Sequence, residues 1–242
     1  MIISALHGFL GRPEDFDAFA GQLKPLGGSF GAVDYLKVRE LSPENDFKSW
    51  GANFNHYVQT QNPSAKKRVL VGYSLGGRLA LHAVQNNPAL WSGLVLISAN
   101  PGIPIWERAE RLARDQDWAK EFETKNFGKI LQEWNAQPIF QGSVSESVRK
   151  ESDYNRHILA KCLTQWSVGH QEDFREFLKT TAVPVMYISG ARDVKYVSIG
   201  ENLKKTNSRI QVSSIANAGH RVLFDQPQIL GELINKFVGV CS

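Results

Sequence analysis

The sequence predicts an α/β fold: a mostly parallel sheet flanked by helices, with a helical lid inserted after the fourth predicted strand. Three observations carry this. Short apolar runs alternate with amphipathic stretches along most of the chain, as a parallel sheet covered by helices requires. Val69-Leu70-Val71 and Leu94-Val95-Leu96-Ile97 are continuously apolar, which fits strands buried on both faces. Between Asn100 and Thr181 the alternation stops, giving a charged, Trp-containing stretch without β-branched runs.

In chain order, strands are expected near Ile2-Leu6, Gly31-Leu36, Arg68-Tyr73, Gly93-Ser98, Pro184-Ser189 and Ile210-Ile215. Pro13-Leu23, Phe47-Gln61 and Leu75-Asn87 read as helices; Leu79, Ala80, Ala83 and Val84 have the spacing of one helical face. Trp106-Glu121 and His157-Trp166 carry helical patterns inside the inserted stretch, and Ile229, Leu233 and Phe237 recur every four residues near the end. The expected organisation is a core of residues 1–99 and 182–242 with a lid of residues 100–181.

Composition narrows the function classes. With 242 residues, 42% hydrophobic and 21% charged, the chain can bury a full core without a structural metal or disulfide. Cys162 and Cys241 are far apart and lack C-x-x-C spacing, so two free thiols in a reducing compartment are expected. The first residues run directly into His7-Gly8 without a basic leader, and no apolar run approaches the ~18 residues of a membrane span. A cytoplasmic location is the expectation. The net charge is +4, but Lys66-Lys67-Arg68 is the only basic run, and no aromatic-basic interleaving speaks for nucleic acid. A basic balance also suits an anionic small-molecule substrate. Neither a metal nor a cofactor is expected, and the oligomeric state is left open.

The chemistry concentrates at Gly72-Tyr73-Ser74-Leu75-Gly76, a G-x-S-x-G match that directly follows a strand and opens a helix. That is the setting of a nucleophile elbow, in which a tight turn exposes the Ser74 hydroxyl. Serine needs an imidazole to take its proton. Of six histidines, His56, His82 and His157 fall inside helical patterns, His170 lies in the inserted stretch, and His7 precedes the first turn. His220, in Asn217-Ala218-Gly219-His220 just after the last strand, is where this architecture delivers a base. Asp193 follows the fifth strand and lies between serine and histidine in chain order, so it is the expected orienting acid. Backbone N–H groups of Leu75 and Phe9 are the expected oxyanion donors. Together these residues define an α/β-hydrolase fold.

The chain resembles the 2-succinyl-6-hydroxy-2,4-cyclohexadiene-1-carboxylate synthases of menaquinone biosynthesis. The resemblance runs through Leu6-His7-Gly8-Phe9, Val71 to Arg78, Asn100-Pro101-Gly102, Glu107 to Arg111, Asp117-Trp118-Ala119, Trp134, Gln137-Pro138-Ile139-Phe140, Gly190 to Tyr196 and Ala218-Gly219-His220. The elbow is common to many hydrolases, whereas the lid arginine segment and Trp-x-x-Gln-Pro-x-Phe are more specific. The resemblance implies a lyase that eliminates pyruvate from a cyclohexene tricarboxylate, with Ser74 acting as a proton-abstracting base. It also implies Arg78, Arg111 and Lys195 as cations for substrate carboxylates, with Tyr73 and Trp134 lining the pocket. Arginine forks suit such carboxylates. A further lid arginine belongs to the pattern, and its register is lost here: Arg156, or alternatively Arg149, is expected to fill the role. The chain also reads Tyr35-Leu36-Lys37 where a Gly-rich turn is usual, and begins at what would be the third strand of the full fold. A general carboxylesterase or C–C bond hydrolase working through an acyl-Ser74 remains the alternative expectation.

Overall fold

A computed structural model of the chain describes residues 1–23, 29–144 and 148–241. Six strands form one all-parallel sheet in the order β2-β1-β3-β4-β5-β6. They are β1 (Ile2–Leu6), β2 (Ser29–Val33), β3 (Arg68–Tyr73), β4 (Gly93–Ile97), β5 (Val185–Gly190) and β6 (Gln211–Ile215). In the central strands alternate residues serve opposite faces. Leu70, Leu94 and Leu96 join one apolar cluster with Trp50, Phe54, Leu79 and Tyr187; Val69, Val71, Val95 and Ile97 join the other with Phe16, Phe19, Ile234 and Phe237. Burial on both faces explains their uninterrupted hydrophobicity.

Helices α1 (Asp17–Ala20), α2 (Phe47–Gln61), α3 (Leu75–Asn86), α4 (Ile105–Thr124), α5 (Phe127–Asn135), α6 (Arg156–Gln165), α7 (Arg175–Thr180), α8 (Val194–Thr206), α9 (Val222–Asp225) and α10 (Pro227–Val240) follow in chain order. Asp46 starts α2 by accepting from the Ser49 amide at 2.7 Å, which satisfies one of the unpaired donors at a helix start. Helices α4 to α7 occupy the interval between β4 and β5, where no strand occurs among the described residues. None of the described helices is long and apolar enough to cross a membrane.

Three expectations need correction. The second strand was expected at Gly31-Leu36, but β2 ends at Val33. Beyond it Tyr35 turns inward, stacks on His7 with ring centroids 4.2 Å apart, and donates its hydroxyl to the His7 carbonyl at 2.9 Å. Pro13-Leu23 is not one helix: a 3₁₀ turn over Pro13–Phe16 leads into the short α1, burying Phe16 and Phe19. On α10 the buried stripe is Leu230, Ile234, Phe237 and Val238, whereas Ile229 stands 42% exposed.

His82, on α3, lies between Phe47 (stacked, 4.4 Å) and Phe174 (edge-on, 4.5 Å). Burial, and then the charge of Arg78, lowers its pKa from 6.5 to about 3. The unfolded chain therefore takes up a proton below about pH 6.5 that the folded state refuses until about pH 3. Stability should fall as pH drops through that window, by about 2 kcal/mol between pH 7 and pH 5. Urea midpoints at the two pH values measure it, and His82→Phe should flatten this part of the profile.

Candidate active site

The elbow is a strained turn locked by close backbone packing. Ser74 lies between β3 and α3 with φ 51° and ψ −110°, a conformation an L-residue holds at a cost of roughly 1–3 kcal/mol. Its amide donates to the Ile97 carbonyl (2.9 Å), and its carbonyl accepts from the Arg78 amide (3.2 Å), so both neighbouring elements hold the turn. A Cβ on Gly76 would lie 2.2 Å from the Leu6 carbonyl oxygen, and one on Gly72 would lie 2.5 Å from the Gly77 Cα. Both glycines are required by space. Gly76→Ala should cost about 3 kcal/mol or more, because rigid backbone cannot yield to the added methyl. A thermal melt checks this, and a variant melting within a degree or two of the parent would contradict it.

Asp193 and His220 come from the carboxyl ends of β5 and β6, whose loops are tied together. The Ala191 amide donates to the Ile215 carbonyl and the Arg192 amide to the Ala218 carbonyl, both at 2.9 Å. His220 Nδ1 lies 2.7 Å from Asp193 Oδ2, and Nε2 lies 3.2 Å from Ser74 Oγ. A carboxylate accepts only, so Nδ1 carries the proton and Nε2 is left to accept from the serine hydroxyl. Both the His220 and Asp193 side chains are buried, and the Tyr196 ring (4.7 Å), Tyr73 (5.8 Å) and Phe140 (5.9 Å) enclose the imidazole. Such a chain can withdraw a proton at Ser74 and hold the resulting imidazolium beside a fixed negative charge.

Ser74 and His220 open onto a cavity of about 550 Å³. Phe9 and Leu75 border it, and their amides donate to no protein acceptor among the described residues. Trp134 forms part of one wall, packed on Phe9 (4.7 Å) and Trp118 (5.1 Å). The lining also holds Arg78, Arg111, Arg114, Arg192 and Lys195, with Asp115 and Asp193 its only carboxylates among the described residues. Arg78 is anchored to the Trp166 carbonyl at 2.7 Å and to Gln171 Oε1 at 3.4 Å. Desolvation, and then repulsion from Arg111, draws its pKa from 12.5 down to about 10. Arg111 donates Nε to Asp115 Oδ2 (2.8 Å), and Ser167 Oγ donates to that same oxygen (2.6 Å). Desolvation, followed by Arg111, also lowers the Lys195 pKa. Cations pressed together against their own repulsion form a site complementary to an anion.

Not every expected pocket residue reaches the cavity. Tyr73 lies beneath it, its ring in the apolar cluster and against Gly8. Arg156 faces away and closes the carboxyl end of α4, donating Nε to the Phe122 carbonyl (2.6 Å) and Nη2 to the Lys125 carbonyl, with Nη1 on Glu151 (3.0 Å). Free carbonyls at a helix end are good acceptors for a guanidinium, which explains the capture. Arg149, the alternative, is buried against Asp15 with Nη2 2.8 Å from each carboxylate oxygen. Arg114 and Arg192 stand in the wall instead. Arg114 could have been found from sequence, because three residues past Arg111 is the same helix face. Arg192 adjoins Asp193, and nothing local says which way it points.

The strand-to-helix serine, the late histidine and the acid after β5 define the class. The alpha/beta hydrolase fold family matches residues 39–227, and the chain belongs to that family. Within it the chain is similar to the 2-succinyl-6-hydroxy-2,4-cyclohexadiene-1-carboxylate synthase of Salmonella heidelberg (strain SL476), at 34% identity over 164 residues. That alignment covers 65% of this chain and 63% of the relative. The putative enzyme of the same name from Bacillus subtilis (strain 168) is 30% identical over 177 residues, 70% of this chain and 65% of the relative. The matched region thus spans just under two-thirds of these relatives. In backbone, MenH from S. aureus superposes with a TM-score of 0.84 at 20% identity, covering 100% of this chain and 94% of that one. A thermophilic esterase from Thermogutta terrifontis gives 0.80 at 16% identity, covering 100% and 90%. These two likenesses bear on the fold alone.

Proposed function

We propose that this protein is a carbon-oxygen lyase that eliminates pyruvate from 2-succinyl-5-enolpyruvyl-6-hydroxy-3-cyclohexene-1-carboxylate to give 2-succinyl-6-hydroxy-2,4-cyclohexadiene-1-carboxylate. The observation carrying this reading is the cluster of cations, Arg78, Arg111, Arg114 and Lys195, in the same cavity as the Ser74–His220 pair. A neutral ester gives no reason to crowd Arg78, Arg111 and Lys195 together, whereas a tricarboxylate does. The names of the Salmonella and Bacillus relatives point the same way.

In the proposed reaction His220 takes the Ser74 proton, and the Ser74 oxygen removes a proton from a substrate carbon. That proton leaves C2; its electron pair forms the C2–C3 double bond, the existing C3–C4 double bond moves to C4–C5, and the C5–oxygen bond to the enolpyruvyl group breaks. The departing enol oxygen takes that bond's electrons, and a proton returned to its methylene carbon completes pyruvate. Charge that develops on the conjugated carbonyl oxygen is met by the Phe9 and Leu75 amides, and Asp193 steadies the imidazolium. Arg78, Arg111 and Lys195 hold carboxylates, while Trp134 packs on the ring. Arg114 joins them from the same face of α4. Residues 100–181 act as a lid over a core of residues 1–99 and 182–242. A cytoplasmic location suits the two unpaired buried cysteines.

A carboxylesterase or C–C bond hydrolase acting through acyl-Ser74 is the competing reading, because the same proton relay serves both chemistries. Purified protein should be assayed side by side for pyruvate release from the tricarboxylate and for hydrolysis of a short activated ester, with Ser74→Ala as control. The lyase reading expects the tricarboxylate to be turned over far more efficiently than the ester. Pyruvate release no faster than in buffer would sink it.

A further inference from the structure

We infer that Asp225 is a positioning residue that latches the segment Gly142–Val144 onto the loop carrying His220, so that the wall of the cavity and the base move as one unit. The inference rests on the reading of His220 as the proton carrier. Asp225 lies 32 positions after Asp193 in sequence and touches neither Ser74 nor the imidazole. Its carboxylate bridges two chain segments instead: Oδ2 accepts the Gly219 amide at 2.7 Å, immediately before His220, and Oδ1 accepts the Val144 amide at 2.6 Å. Amide bonds to a carboxylate are among the stronger neutral-to-charged hydrogen bonds.

One further hydrogen bond joins the same two segments, and contacts of Arg192 and Phe140 lie beside it. The Arg221 amide, just after His220, donates to Ser143 Oγ at 3.2 Å. Arg192 Nη1 donates to the Gly142 carbonyl at 3.1 Å. Phe140 presents its edge to the His220 ring, and the Arg221 guanidinium lies 4.1 Å over its face. His220 is therefore held between backbone amides that are both tied to residues 143–144. A Cβ at Gly219 would lie 2.3 Å from Ser143 Oγ, so a side chain there would push that hydroxyl off the Arg221 amide. Because Phe140 and Gln141 line the cavity, a substrate pressing on that wall presses on the His220 loop through Ser143 and Asp225. A proton relay working across a 3.2 Å gap responds steeply to such displacement.

Two readouts test the latch. One is the downfield proton resonance of His220 Nδ1–H, assigned by its absence in His220→Ala; the other is kcat for pyruvate release and for activated-ester hydrolysis. Asp225→Asn sets an NH₂ group against one of the two amides, and should broaden or shift the resonance and lower kcat about tenfold, with KM within about twofold. Gly219→Ala should do the same from the opposite side, and Ser143→Gly added to it should recover part of both by removing the obstructing hydroxymethyl, with the Asp225 bridge left in place. If Asp225→Asn does not fold, the Gly219→Ala and Ser143→Gly pair decides. Unchanged resonance and kcat in Asp225→Asn, or a Gly219→Ala defect that Ser143→Gly leaves untouched, would overturn the latch. The resonance requires no turnover, so it judges the latch even if His220→Ala proves fully active, a result that would sink the proposed chemistry alone.

Discussion

Replacing Ser74 with alanine should lower kcat for pyruvate release about 10³-fold or more, while KM stays within about threefold. Proton transfer by a positioned group contributes 10²–10⁴-fold, and the hydroxyl lies 3.2 Å from His220 Nε2 at the edge of the cavity. The cations proposed to bind the substrate are left in place by the substitution. His220→Ala should produce a similar loss, and the double variant should be hardly worse than either single one, because the two act as a unit. Steady-state kinetics on the three variants tests this. Independent, multiplying effects would mean that serine and histidine serve different steps.

The second large effect is expected at Arg78. Its guanidinium is fixed by the Trp166 carbonyl and Gln171, so it meets a carboxylate without first losing freedom of its own. Truncating one partner of a desolvated, hydrogen-bonded charge pair costs roughly 2–4 kcal/mol, so Arg78→Ala should reduce kcat/KM for the tricarboxylate by roughly 30-fold to 10³-fold. Hydrolysis of a neutral activated ester, if measurable, should change less than about fivefold, since no carboxylate is lost. Arg78→Lys separates charge from fork geometry: it keeps the former, and should recover only part of the activity. Equal losses on both substrates, with an unchanged melting temperature, would show that Arg78 serves the proton relay instead of binding an anion.

Where sequence reading succeeded, local physics determined the outcome. β1 and β3 fall at Ile2–Leu6 and Arg68–Tyr73, as predicted, because both are interior strands, covered on both faces and mostly apolar. The glycines around Ser74 and the order serine, acid, histidine were legible because a sharp strand-to-helix turn admits few residue types. Legibility failed at the edges and at long range. β2 is an edge strand of mixed exposure, and its end depends on Tyr35 finding His7, which no window of sequence contains. The arginines fared worst. Arg156 is claimed by carbonyls at the end of a helix more than thirty residues away in sequence, and Arg149 by Asp15 across 134 positions. An arginine's long side chain leaves its destination to tertiary structure. Arg78 and Arg111, which the resemblance implies, do line the cavity, whereas Arg114, one turn from Arg111 on the same helix, was missed.

The central claim is that Ser74 removes a proton from carbon and is never acylated. Its most direct test is the intact mass of the protein, quenched during turnover of the tricarboxylate, with pyruvate quantified in the same sample. Steady pyruvate release is expected from a protein whose mass stays that of the unmodified chain. An adduct on Ser74 that accumulates in a burst and disappears as substrate is exhausted would contradict it and favour the acyl-enzyme route.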